Sequence, residues 1–126
     1  MPQPLFCVQS KQTLGVKMMA ENKAIIEHNS NCKYILAKVR TGQGTNLAIV
    51  SKDLEWHADI ASTYSRELKK QEQSLESVLG GGRLEINNVE KTIKTYGHSG
   101  SYGKAPLDLV EKVLKENFPD YKLDIR

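Results

Sequence analysis

The chain has 126 residues, 39% hydrophobic and 26% charged, with a formal net charge of +3, which is enough for one compact domain with its own core and favours an anionic ligand. It lacks the clustered Lys/Arg stripe of a nucleic-acid binder and any run of about 18 apolar residues, so neither a nucleic-acid nor a membrane partner is expected. Cys7 and Cys32 form no disulfide framework and no Cys/His zinc spacing, which points to reduced thiols and, with no apolar signal core, to a cytoplasmic protein; a chain of this size is expected to be a monomer.

Residues 1–22 hold neither a strand nor a helix period, and Pro2 and Pro4 oppose early regular structure. They read as a poorly ordered extension before a domain over residues 23–126. Lys23 to Glu27 reads as a short strand, and His28-Asn29-Ser30-Asn31 as a turn of residues that bond their own backbone. Lys33 to Arg40 is apolar on both faces, as an inner strand of a covered sheet is. Thr41 to Asn46 then turns the chain, and Leu47 to Val50 returns it, a hairpin with a slightly long loop.

From Asp53 the period changes. Ile60, Ala61, Tyr64 and Leu68 form a helical stripe, with Asp53 as the expected N-cap. His57 then lies in the first turn, where free backbone N–H groups and the positive end of the helix dipole welcome an anion. Histidine, with an ordinary pKa of about 6.5, is also a usable general base near neutral pH. An isolated helical histidine is more often a packing residue, so the case for chemistry rests on what else converges on it. The charge run from Arg66 to Glu76 reads as the solvated helix face and its exit.

Leu79-Gly80-Gly81-Gly82-Arg83 either turns a corner or lets another backbone approach closely. Arg83 to Ile86 and Lys91 to Tyr96 alternate as a second hairpin about Asn87-Asn88. The loop Gly97 to Gly103 carries glycines and the hydroxyls of Ser99 and Ser101, a composition that cradles phosphate without a Walker lysine, or simply makes a flexible turn. Pro106 opens a helix with a stripe at Leu107, Val110, Val113 and Leu114; Phe118-Pro119-Asp120 ends it, and Tyr121 to Ile125 is a last strand. Without a regular βαβ rhythm, these elements describe an α+β domain with a mixed or antiparallel sheet.

Five of these stretches together resemble the Janus family, which includes the phosphohistidine phosphatases. They are Lys33-Tyr34-Ile35-Leu36, Glu55-Trp56-His57-Ala58-Asp59-Ile60, Leu79-Gly80-Gly81-Gly82-Arg83, Tyr96 to Gly103, and Phe118-Pro119-Asp120-Tyr121. The resemblance runs from about Ala24 to Arg126 and is nearer to the Janus branch than to the mammalian-type phosphatases. It implies a small α+β fold with a mixed six-stranded sheet and two helices, like that of the phosphohistidine phosphatases. It further implies a protein histidine phosphatase that uses no metal or other cofactor and acts on phosphohistidine-containing proteins.

On that resemblance His57 matches the general base and Lys33 the substrate-binding lysine. Ser99, Gly100 and Ser101 match the loop that holds phosphate. The backbone N–H groups of His57 and Ala58 complete the cradle, and Arg83 adds positive potential. Members of the Janus branch are associated with sex-specific expression and with regulation of somatic sex differentiation. The alternative is therefore a regulatory Janus-family protein that binds phosphorylated or acidic partners without turnover.

Three departures bear on this choice. Ser51 stands where the phosphatases carry an arginine, which is expected to weaken phosphate binding. His98 stands in place of a tyrosine, and Ser101 in place of an alanine. A zinc hydrolase built on His57, Asp59 and His98 is disfavoured, because the ligand spacing matches no familiar site.

Overall fold

The structure, a computed structural model, describes residues 21–126. Residues 1–20 of the expected extension lie outside that range. In chain order the elements are β1 (Lys23–Ile26), β2 (Asn31–Thr41), β3 (Gly44–Ser51), α1 (His57–Lys70), β4 (Ser74–Asn87), β5 (Thr92–Tyr96), α2 (Leu107–Asn117) and β6 (Lys122–Ile125). They build one six-stranded sheet in the order β1-β3-β2-β4-β5-β6. The two outer pairs, β1 with β3 and β5 with β6, run parallel, and the inner pairs run antiparallel. The fold is the mixed six-stranded α+β domain that the resemblance implies.

Strand β2 shows why a helix covers each face. Alternation sends Tyr34 and Leu36 to one side, where they pack with Val110, Val113 and Leu114 of α2. Ile35, Ala37 and Val39 go to the other, against Ile60, Ala61, Tyr64 and Leu68 of α1. Residues 34–37 are buried on both sides, so the two-faced apolar reading of this strand stands. No helix among the described residues is long and apolar enough to cross a membrane.

Several expected boundaries move. The first hairpin is tighter than its sequence suggests: Thr41 pairs with Gly44, leaving Gly42 and Gln43 as the turn. Helix α1 begins at His57 with Trp56 as N-cap, not Asp53. After Lys70, the amides of Gln71 and Gln73 both bond the Leu68 carbonyl, and Glu72 takes a positive φ of 59°. That reversal turns Ser74 to Glu76 from the expected helix exit into strand, where Glu76 pairs with Lys38 and Arg40 of β2.

The glycines of 80–82 turn no corner. They lie inside β4, paired in register with Leu36, Ile35 and Tyr34. The second hairpin closes as expected, with the Asn87 side chain accepting the amides of Val89 and Glu90, both at 3.0 Å. In α2 the buried stripe is Val110, Val113 and Leu114, whereas Leu107, at the helix start, is exposed.

Candidate active site

The site forms where α1 begins over the middle of β4. Trp56 has extended backbone angles and supplies no side-chain cap. Its carbonyl accepts the amides of Asp59 and Ile60, at 3.1 and 3.3 Å. The amides of His57 and Ala58 have no acceptor among the described residues and point out of the helix start, as first-turn amides do.

The His57 ring folds inward and is only 8% exposed. Its Nε2 lies 3.0 Å from the carbonyl oxygen of Gly82. A carbonyl only accepts, so Nε2 carries the proton and Nδ1 is left with its lone pair. Burial, the main cause, lowers the pKa of His57, and the positive charges of Lys33, Arg83 and His98 push the same way; the Gly82 carbonyl opposes them. The neutral, base-competent ring is therefore favoured.

The serine loop is tied to the same stretch of β4. The Gly81 amide donates to the Gly103 carbonyl at 3.0 Å, and Ser99 and Gly103 exchange backbone bonds of 3.0 and 2.8 Å. Ser99 is 1% exposed, and its Oγ accepts the amides of Ser101 and Tyr102 at 3.2 and 3.1 Å. The hydroxyl thus lies beneath the loop and shapes it. Gly100 and Ser101 are exposed, and the Gly100 amide has no acceptor among the described residues. A donor there faces solvent, available to an anion.

Lys33 and Arg83 are directly opposed in the β2–β4 register, on the α1 face of the sheet. The Lys33 ammonium donates to the Glu55 carbonyl and lies 5.7 Å from the centre of the Trp56 ring. Arg83 is braced by Asn31, whose Oδ1 accepts its Nε at 3.0 Å and whose backbone carbonyl accepts Nη2 at 3.2 Å. Asn31 in turn donates to the Tyr96 hydroxyl at 2.6 Å. Both cations are half-buried and held, so their charge is placed in advance of any ligand.

His57, Ala58, Lys33, Arg83 and the Ser99-Gly100-Ser101 loop, all expected from the sequence, thus gather about Gly81 and Gly82. Asn31, Tyr96 and Trp56 join them without having been singled out; Asn31 and Tyr96 become visible only through register, since each lies on the face that carries Arg83. Ser51 does not join. It is fully buried opposite Tyr34, and by alternation faces α2, so the loss of a cation expected at position 51 removes none from the face that holds Lys33 and Arg83. Among the described residues no three His, Cys, Asp or Glu side chains gather to hold a metal, the set His57, Asp59 and His98 included.

Known proteins share this arrangement of sequence. The model of the Janus/Ocnus family (Ocnus) matches residues 19–122. Sex-regulated protein janus-A of Drosophila melanogaster is 35% identical over 95 residues, covering 74% of this chain and 70% of the relative. The janus-A of Drosophila pseudoobscura pseudoobscura is 37% identical over 106 residues, covering 79% and 70%. The 14 kDa phosphohistidine phosphatase of Sus scrofa is 34% identical over 106 residues, covering 78% of this chain and 83% of the phosphatase.

Proposed function

The chain belongs to the Janus/Ocnus family, and from that premise we propose that it is a protein histidine phosphatase that needs no metal, with His57 as its general base. The observation that carries the reading is the state of His57: a buried ring whose Nε2–H is committed to Gly82, at a helix start with open amides, flanked by Lys33 and Arg83.

The phosphoryl oxygens are received by the Lys33 ammonium, the amides of His57 and Ala58, and the Gly100–Ser101 edge of the loop. Arg83 adds positive potential as charge builds on the transferring group. Nδ1 of His57 takes a proton from water as the water oxygen forms its bond to phosphorus. The P–N bond breaks with its electron pair going to the leaving imidazole, which departs neutral when its other nitrogen enters protonated. The P–N bond is intrinsically labile, so positioning plus a base contributing about 10²–10⁴-fold is sufficient.

The substrates on this reading are phosphohistidine-containing proteins met by a cytoplasmic monomer. A place in sex-regulated physiology is proposed on the strength of the janus-A relatives' names alone.

Phosphate release from a phosphohistidine peptide in the presence of EDTA tests the proposal. Wild type is expected to turn over, His57→Ala to fall by about 10²-fold or more, and Lys33→Ala chiefly to raise KM. Peptide binding without turnover, lost in Lys33→Ala, would replace the phosphatase with a Janus-family regulatory protein that reads phosphorylated or acidic partners.

A further inference from the structure

Trp56, the chain's single tryptophan, is 60% exposed although it immediately precedes the buried His57. Indole is among the most apolar surfaces a side chain can offer, and proteins ordinarily bury it. Core packing does not explain its place, because it belongs to neither apolar cluster. Capping does not either, since no side-chain cap bond is made and any residue adopts its backbone angles of −121° and 143°. What the ring does touch is the site: the Lys33 ammonium lies 5.7 Å from its centre, within cation–π reach, while donating to the carbonyl of Glu55.

We infer that Trp56 sets the substrate class of this site, its indole stacking on the imidazole ring of the phosphohistidine; the inference rests on the phosphohistidine reading above. A phosphoryl oxygen bound by Lys33 sits about 2.8 Å from Nζ. With Nζ 5.7 Å from the ring centre, an imidazole bonded to that phosphorus can reach the stacking range of the indole, roughly 4.5–7 Å between ring centres. The phosphate donors all see the same phosphoryl group, so they do not distinguish phosphohistidine from phospholysine. Both are phosphoramidates, but only phosphohistidine presents a π face. A ring at the mouth of the site supplies that missing discrimination.

Two peptides of one sequence, one phosphorylated on histidine and the other on lysine, test this on the full chain, on Trp56→Ala and on Trp56→Phe. The exposed position makes loss of folding from either change unexpected, and circular dichroism checks it. The preference of kcat/KM for phosphohistidine over phospholysine is expected to fall about three- to tenfold in Trp56→Ala, the range that one stacking contact spans, and to be largely kept in Trp56→Phe. Equal losses on the two peptides, or none on either, overturn the inference.

If wild type hydrolyses neither peptide, the phosphatase reading fails, and the same ratio is read from dissociation constants by anisotropy of labelled peptides. The histidine peptide then carries a non-hydrolysable triazolylphosphonate. In that format Trp56 emission in wild type is expected to shift and saturate with the triazole peptide. Binding that ignores the ring, or no binding of either peptide, overturns the inference.

Discussion

The imidazole of His57 rests on the backbone of Gly81 so closely that a Cβ at position 81 would stand 2.9 Å from His57 Cδ2 and 2.5 Å from the Tyr34 carbonyl oxygen. The same glycine donates its amide to Gly103, so one residue without a side chain seats both the base and the serine loop. In Gly81→Ala the methyl has backbone on one side and the catalytic ring on the other, and one of them must move. Such overpacking costs about 1–3 kcal/mol of stability. Turnover measured where the variant is still fully folded is expected to drop more than tenfold, because the ring is lifted from the Gly82 carbonyl. Gly42→Ala, where an added Cβ meets nothing within 4 Å, is the control. Thermal melts and turnover indistinguishable between the two variants would remove Gly81 from the account.

Buried His57 and half-buried His28 give the protein a signed response to acid. Burial lowers the pKa of His57 and of His28 below 6.5, for His28 against the pull of Asp53 and the backbone at Ser30. As pH falls below about 6.5 the unfolded chain takes up these protons before the folded one does. Their contribution to stability is therefore whole above about pH 6.5 and is lost as pH falls through the folded pKa values. Urea midpoints are expected to decline from pH 7 to pH 5, and less steeply in His28→Gln. For activity the sign is the same: the acid limb of kcat/KM should have its midpoint below 6.5. An acid limb centred above that value would speak against a buried neutral His57 as the base.

Much of this was legible in the chain because the signals were local. The apolar run of Tyr34 to Ala37 had to be covered on both faces, and the stripe of Ile60, Ala61, Tyr64 and Leu68 had to be a helix. His57 stood near that helix's start in any version of its boundary. The N-cap moved from Asp53 to Trp56 because β3 runs on to Ser51 and the chain needs the next residues to cross from sheet to helix, with Lys52 pinned on the way by Glu67 and Glu27 at 3.2 and 3.5 Å. Of the two readings of Gly80 to Gly82, a corner or a close backbone approach, the corner fails and the close approach holds. Their strand pairing is visible only once Ala105, Tyr34 and Tyr96 are seen packed where Cβ atoms would be. The acceptor that orients His57 is a backbone carbonyl, which no residue type announces.

Ser51 offers the sharpest test of reading a site from substitutions alone. Its Oγ donates to the Lys33 carbonyl at 2.9 Å, and His28 Nε2 lies 2.7 Å from it. Since the Ser30 amide donates to His28 Nδ1 at 3.2 Å, the proton is on Nε2 and the chain of donors runs His28 to Ser51 to Lys33. Ser51→Ala removes both of these hydrogen bonds at a fully buried position, which is expected to cost about 1–3 kcal/mol. Ser51→Arg does more harm: it forces a guanidinium into a fully closed position on the α2 face, away from the side chains of Lys33 and Arg83. Urea denaturation is expected to rank stability as wild type above Ser51→Ala above Ser51→Arg, with no gain in kcat/KM from the arginine. If Ser51→Arg instead raised kcat/KM at undiminished stability, the guanidinium must reach the phosphate, and the sheet face assigned here to position 51 would be wrong.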